Sequence, residues 1–408
     1  MKTEIITDNI PRAAELLRAG GLVAVPTETV YGLAGNGLDA AAVEAIYAVK
    51  GRPAVKPLSL LVPDAGALER YCSPVPPAAY ALAETFWPGP LTLILNSRKV
   101  EPDIVRAGGD TLGLRCPDHP LTLALLRECS LPLAAPSANP SAAPSPNSAR
   151  EAAAYFDGKI AGILDGGPCA LGRESTIVDL SAVPYRIVRS GALGEAEIFA
   201  VLRDSLTLVG LTGGSGCGKT TALHVLEDMG ALMLDADALY HGLAVSSAAM
   251  RAELTGRFGD VYDAGGALDW KRLAAVVFGD PAALAELNAI THKYVLAEID
   301  RRLTEHALNG GTLAAVDAVA LLESGLGARC AFTAAVTAPV EARAARIARR
   351  DGISPARAME RIAAQRPDGW YEQRCTYTLR NEGEQGAFEA KCKEVFKEAL
   401  QQHGRREK

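Results

Sequence analysis

Apolar and polar positions alternate along this chain in two rhythms. Short apolar runs, GLVAVPT (21–27), LSLLV (58–62) and LTLIL (91–95), have the length of buried strands. Around them the pattern lengthens to helical spacing. PRAAELLRAGG (11–21) places proline in the first turn and glycines past the end. DAAAVEAIYAVKG (39–51) opens on Asp39 as a cap and closes on Lys50 and Gly51. Strand-like runs resume with GILDGG (162–167), STIVDL (175–180) and YRIVRSG (185–191), and the alternation continues through LTLVG (206–210), TALHVLEDMG (221–230) and FTAAVTAP (332–339). This order predicts an α/β architecture.

One stretch breaks the rhythm. Residues 130–149, SLPLAAPSANPSAAPSPNSA, carry no charge and five prolines, the composition of an interdomain linker. Strand-like runs follow it, however, so the boundary is placed near 202–205, after the helix-like EAEIFAVL (195–202). A chain of 408 residues is too long for one ordinary core, and two domains, 1–202 and 203–408, are expected.

Charge and cysteine content narrow the classes. The net charge is −6, and the first 202 residues hold 17 Lys+Arg against 21 Asp+Glu, so neither half is a nucleic-acid binder by bulk charge. Eight scattered cysteines form no C-x-x-C pair, and the six histidines do not cluster with them, which argues against a zinc framework or a disulfide scaffold. The acidic MKTEIITDNI start and the lack of an eighteen-residue apolar run point to a cytoplasmic protein outside the membrane.

GLTGGSGCGKTT (210–221) lies between a predicted strand and a predicted helix. Its glycines let backbone N–H groups turn inward around an anion, and the helix N-terminus adds positive potential. Gly214, Gly216, Cys217, Gly218, Lys219, Thr220 and Thr221 are the candidate cradle for ATP. Lys219 would reach the β- and γ-phosphates, and the Thr220 hydroxyl would ligate Mg²⁺. The loop alone does not separate a GTPase, a motor ATPase and a small-molecule kinase; an N-K-x-D guanine signature is absent.

ALMLDADALYHG (231–242) reads as a second strand ending in Asp235 and Asp237. Acids at that edge face the phosphates and would orient or deprotonate an acceptor hydroxyl; the ordinary alternative makes Asp237 a helix cap. In APVEARAARIARRDGIS (338–354), Arg343, Arg346 and Arg350 share one helix face. The face is either a cationic lid over a phosphoryl-transfer site or a solvated basic surface.

From LTGGSGCGKTT onward the chain resembles dephospho-coenzyme A kinases. LDAD, FGDVYDAGGALD, VVFGDPAALAELNAITH, RIARRDGIS, RIAAQ and RNEG follow in the family's order over roughly 206–402. The resemblance implies ATP-dependent phosphorylation of the ribose 3′-hydroxyl of dephospho-coenzyme A. It makes Asp237, with Asp235 beside it, the candidate base, places His292 in the coenzyme-binding region, and adds Arg346, Arg350 and Asn381 to the ATP site. There are departures: the family usually has arginine where His241 and Trp270 stand, His-Pro where this chain has His292-Lys293, and D-x-P-L-L-x-E where it reads DAVALLE (317–323).

The first half offers cations without such a loop. Lys50, Arg52 and Lys56 fall within seven residues past a helix end, and Arg115 and Arg189 close strands. Helix-dipole stabilisation accounts for Lys50 but not for three cations around a proline-fixed loop. Thr29, Ser137, Asn139, Ser145 and Ser175 lie on predicted loops, where hydroxyls and amides also serve as ordinary caps and turns. Together these cations suit a triphosphate and a carboxylate bound by bidentate forks.

PTETVYGLAG, VKGRPAVKPLSLLV, FWPGPLTLIL, LGLRCPDHPL, APSANPSAAPSPNS, RESTIVDL and RIVRSGAL occur in an order that resembles the YrdC-like threonylcarbamoyl-AMP synthases, over residues 5 to about 195. The resemblance implies conversion of L-threonine, bicarbonate and ATP to threonylcarbamoyl-AMP and diphosphate, feeding t⁶A modification of tRNA through a downstream transferase. Carried over by position, Thr29, Leu61, Arg115, Ala135 and Ser175 would hold threonine. Arg52, Lys56, Thr111, Ser137, Ser145 and Arg189 would hold ATP, with Lys50 and Arg52 at the reacting phosphate. Ala142 stands where glycine is usual, and Leu61 where some members have histidine.

The two resemblances imply an α/β protein with a YrdC-like twisted α/β sheet domain followed by a P-loop kinase domain with a parallel sheet, acceptor-binding helices and a lid. They imply Mg²⁺ with ATP and no tightly bound organic cofactor. An RNA-binding first half without catalysis, and a nucleotide-sensing second half that regulates the first, are the alternatives from other classes.

Overall fold

The computed structural model describes residues 2–263, 265–277 and 279–404. Ala264 and Phe278, inside two of the stretches quoted above, lie outside the described residues. The chain divides into two compact units, residues 1–202 with 308–310 and residues 203–307 with 311–408.

The first unit is built on a ten-stranded mixed sheet: β1 Glu4–Ile6, β2 Val23–Val25, β3 Gly32–Asn36, β4 Ser59–Leu61, β5 Leu91–Asn96, β6 Thr111–Arg115, β7 Leu133–Ala134, β8 Gly162–Leu164, β9 Thr176–Asp179 and β10 Arg186–Arg189. Their spatial order is β1-β8-β2-β3-β7-β4-β6-β5-β9-β10. Val23, Ala24 and Val25 are wholly buried, as a strand covered on both faces requires. The helix Ala40–Lys50 starts and stops where its sequence dictates. Asp39 accepts from the Ala41 N–H, and Gly51 takes φ 58° at the far end.

The charge-free, proline-rich stretch is not a linker. It supplies β7 in mid-sheet, between β3 and β4. Beyond β7 it runs along β3: Leu33 N–H donates to Pro136 O at 2.7 Å, and Ala138 N–H to Tyr31 O at 2.7 Å. The prolines cannot donate, so the stretch pairs through short two-residue contacts instead of a long ladder. Within it Ala142 holds φ 70°, the left-handed region that explains a usual glycine there; a side chain in it costs about 1 kcal/mol.

The second unit carries a five-stranded sheet, all parallel: β11 Thr207–Thr212, β12 Leu232–Asp235, β13 Leu313–Asp317, β14 Phe332–Thr337 and β15 Tyr377–Arg380, in the order β12-β13-β11-β14-β15. Its core includes Val209, Leu211, Leu226, Phe332, Val336, Phe388 and Phe396. A separate apolar cluster, with Met250, Leu254, Phe258, Leu273 and Leu287, joins the helices Ala236–Ser246, Ala248–Phe258, Trp270–Val277 and Pro281–Leu308. In such open sheets, ligands bind outside the carboxyl ends of the strands. Here those ends carry the phosphate loop, Asp235 and Asp317.

Candidate functional site

Each unit concentrates cations or amides at one edge of its sheet. In the first unit, the carboxyl ends of β4 and β6 lie beside the amino ends of β5 and β9. Leu61 pairs with Arg115, and Leu91 with Thr176. The strand ends enclose a cavity of about 300 Å³ whose wall includes Thr29, Arg52, Leu61, Arg115, Ala135, Ser137, Ser175 and Arg189. Eight side chains drawn from separate parts of the sequence therefore converge on one space.

Arg115 anchors the inner wall. It donates to Glu28 Oε1 at 2.7 Å and to Thr29 Oγ1 at 2.8 Å. The second Glu28 oxygen accepts from the Asp118 N–H at 2.9 Å. Ser175 shares a hydrogen bond of 2.9 Å with Thr92 and accepts from Arg189 at 3.0 Å. Arg189 also donates to Glu174 Oε2 at 2.5 Å, and Ser145 donates to Glu174 Oε1 at 3.0 Å. Burial holds the Arg189 guanidinium below its ordinary value, with Glu174 acting against it. Arg52 donates to the carbonyls of Lys56 and Pro57, which fixes its fork at the mouth.

Lys50, Lys56, Thr111 and Ser145 do not line this cavity. Thr111 begins β6 and pairs with Asn96, while Arg115 ends that strand; four residues of strand separate them by about 13 Å. Lys56 is exposed and contributes its carbonyl, to Arg52 and to Tyr47. Lys50 is buried, and its ammonium donates to the carbonyls of Ser137 and Asn139. Lys50 thus pins the loop that carries Ser137.

In the second unit, Gly213-to-Thr220 wraps the end of β11. Gly213 holds φ 137°, and a Cβ there would lie 2.2 Å from Val336 O, so only glycine fits. Gly214, Gly216, Cys217 and Gly218 continue the loop, and Lys219, Thr220 and Thr221 open the helix Lys219–Asp228. Lys219 Nζ donates to Gly213 O at 3.1 Å and lies 3.9 Å from Asp317 Oδ1.

The three arginines of the basic helix, Val340–Asp351, differ. Arg343 is buried and ties Ser215 O, Gln365 and Asp368 together. Arg346 donates to Gly216 O and to Asn381 Oδ1, while Asn381 donates to Cys217 O at 2.9 Å. Arg350 is exposed, pairs with Asp351 and reaches Ser215 Oγ at 3.4 Å. The helix therefore covers the phosphate loop, although Arg343 is a bolt rather than a mobile cation.

The acids also separate. Asp235 is the helix cap, accepting from the Ala238 N–H at 2.9 Å. The cap assignment considered for Asp237 belongs to Asp235, because the helix starts two residues earlier, at Ala236. Partial burial, reinforced by Asp235, pushes the Asp237 carboxyl up, against the pull of Lys219 and His241. His292 is half-buried on the helix Pro281–Leu308, and none of the hydrogen bonds described around the phosphate loop involves it.

A family model described as "Telomere recombination", the Sua5/YciO/YrdC domain, matches residues 15–191, and one described as "Dephospho-CoA kinase" matches residues 207–386. A threonylcarbamoyl-AMP synthase of Bacillus subtilis is 47% identical over 197 residues, 47% of this chain, and the chain spans only 56% of its length. A putative threonylcarbamoyl-AMP synthase of Mycobacterium tuberculosis is 37% identical over 49% of this chain and 93% of its own. A dephospho-CoA kinase of Anaeromyxobacter dehalogenans is 36% identical over 49% of this chain and 96% of its own. The chain belongs to both families, synthase first and kinase second.

Within the synthase half, sequence reasoning missed Glu28 and Glu174. Both lie inside quoted motifs, PTETVYGLAG and RESTIVDL, and an acid embedded among candidate cation-site residues was the available signal. Within the kinase half it missed Asp317. That residue ends β13 at the register of Asp235, so its signal was an acid closing an apolar strand. Burial pushes the Asp317 carboxyl up to about 6; Lys219 opposes this, and Asp235 and Asp237 add to it. Its buried Oδ1 has no hydrogen-bond partner among the described residues. An orphaned carboxylate oxygen beside the phosphate loop fits a divalent cation.

Proposed function

We propose that the chain is a bifunctional enzyme with two ATP sites of different construction. One makes threonylcarbamoyl-AMP and diphosphate from L-threonine, bicarbonate and ATP; the other phosphorylates the 3′-hydroxyl of dephospho-coenzyme A. The observation that carries this reading is the pairing of a guanidinium-lined cavity in one unit with an amide-lined phosphate loop in the other. Membership of both families supports it.

In the first unit Arg115, held by Glu28, faces the cavity and would take the threonine carboxylate, with Thr29 and Ser175 beside it. The threonine amine and bicarbonate condense to a carbamate with loss of water. A carbamate oxygen attacks the α-phosphorus, and diphosphate leaves. Arg52, Arg189 and Ser137 would balance the charge of the triphosphate, Arg189 exchanging Glu174 for phosphate oxygens. Lys50 acts through the Ser137 loop rather than on the phosphate itself. The product would reach tRNA through a downstream threonylcarbamoyl transferase.

In the second unit the loop amides and Lys219 would hold the β- and γ-phosphates. The acceptor hydroxyl gives its proton to Asp237 as its oxygen bonds the γ-phosphorus and ADP departs. Thr220 and Asp317 would hold Mg²⁺, which supplies charge neutralisation on the phosphates when bound. Arg346 and Arg350 approach from the covering helix. No helix among the described residues is long and apolar enough to cross a membrane, and the eight cysteines are free thiols, which supports a cytoplasmic setting.

The test is incubation with ATP, Mg²⁺, bicarbonate and threonine, and separately with ATP, Mg²⁺ and dephospho-coenzyme A, following products by mass. Threonylcarbamoyl-AMP in the first and coenzyme A in the second are expected. Absence of either product removes that half of the reading.

A further inference from the structure

Tyr240, His241 and Trp270 form an aromatic cluster beside the candidate base. The Trp270 ring meets His241 at 4.9 Å and Tyr240 at 5.3 Å, edge to face in both cases. Tyr240 packs against the apolar cluster below, and Leu273 and Val277 bury the far side of the helix that Trp270 opens. Trp270 itself is 43% exposed. A large ring fixed on one side and open on the other is a platform for another flat ring.

Position gives the platform its ligand. Asp237 and His241 are four residues apart on the helix Ala236–Ser246, hence on one face and about 6 Å apart along the axis. A nucleoside's base lies one sugar ring from its own 3′-hydroxyl. A ribose placed with that hydroxyl at Asp237 therefore brings its base to the cluster. The residues that resemblance leads one to expect at 241 and 270 are arginines, which would grip charge; this chain offers π-faces instead.

We propose that Trp270, steadied by His241 and Tyr240, stacks on the purine base of the phosphate acceptor and so sets specificity for a nucleoside end rather than for acceptor charge. The inference rests on the kinase reading. Its test is calorimetric binding of dephospho-coenzyme A to the full chain with a non-hydrolysable ATP analogue present. Trp270→Ala is expected to weaken acceptor binding by roughly 5- to 100-fold, with Trp270→Phe retaining most of it and affinity for the ATP analogue unchanged in both. In turnover the loss should fall on KM for the acceptor and leave kcat at saturation near wild type. Trp270→Arg should make acceptor affinity more dependent on salt than it is in the wild type.

Unchanged acceptor affinity in a folded Trp270→Ala protein that still phosphorylates dephospho-coenzyme A would overturn the stacking role and leave the kinase reading intact. Equal loss of acceptor and ATP-analogue affinity would also overturn it, as a structural effect. A wild type that neither binds nor phosphorylates dephospho-coenzyme A would overturn both.

Discussion

Arg115 donates to Glu28 at 2.7 Å where the two side chains are only 10% and 8% exposed. The pair is built into the wall of the cavity, and Glu28 has no spare oxygen, since its other one holds the Asp118 N–H. Removing the acid would leave a guanidinium buried without its counter-charge. Glu28→Ala is therefore expected to lower the stability of the first unit by about 3–5 kcal/mol, read from the denaturant midpoint. Glu28→Gln keeps an acceptor for Arg115 but sets an amide against the Asp118 N–H, so its loss should be smaller, with a raised KM for threonine. A change below about 1 kcal/mol in both variants would remove Glu28 from this role.

Lys50 supplies a pH signature. Burial and the charge of Arg52 push its ammonium down to about 8, with Glu174 acting against them. Between about 8 and the ordinary 10.5 the unfolded chain binds this proton and the folded chain does not. Stability thus rises with pH across that window. The cost of the buried charge, about 3 kcal/mol, is fully present below the window and relieved above it. The same deprotonation weakens the hold on the Ser137 and Asn139 carbonyls. Diphosphate release by wild type should fall as pH passes through about 8. In Lys50→Arg it should persist to higher pH, and the stability difference between the two proteins should vary with pH over the same range. Superimposable pH profiles would count against Lys50 as the titrating group.

Arg343 and Arg350 sit two turns apart on one helix yet should respond oppositely to substitution. The Arg343 side chain is 3% exposed and bonds Ser215, Gln365 and Asp368, so Arg343→Ala is expected to cost the second unit about 3 kcal/mol or more. Arg350 is 61% exposed and paired only at the surface. Arg350→Ala should leave stability within about 0.5 kcal/mol while lowering the kinase rate by at least about 10-fold through lost charge at the phosphates. Denaturation and initial rates on the two variants decide it. Equivalent stability losses would mean the helix face is uniform.

These arginines show where sequence reading reached its limit. The i, i+3, i+7 spacing fixes a shared face but does not say which guanidinium meets a carboxamide and a carboxylate and which faces water. That depends on Gln365 and Asp368, brought there by the return of the chain. Local rules were sufficient where both partners are local, as at Asp39 and Gly51 or through the phosphate loop. At 130–149 they led past a linker to a later boundary but did not show the strand in mid-sheet, because its prolines hide the ladder. They also passed over Glu28, Glu174 and Asp317, whose partners lie far away in the chain. Arg115 and Arg189 were legible as cations at strand ends; the acids that position them were not, since an acid within a motif looks like a solvated turn residue until its partner is known.

Two separate phosphate-gripping devices should fail separately. Lys219 donates to Gly213 O and lies near Asp317, all within the second unit. Arg52 is held by the Lys56 and Pro57 carbonyls in the first. Lys219→Ala is expected to lower coenzyme A formation by about 100-fold or more, with diphosphate release in the presence of threonine and bicarbonate within about two-fold of wild type. Arg52→Ala should do the reverse, by removing a guanidinium from the cavity mouth without disturbing the glycine loop. Both reactions are measured on the same preparation after circular dichroism confirms folding. If either single substitution abolishes both reactions in a folded protein, triphosphate is handled at one shared site, and the two-site scheme is wrong.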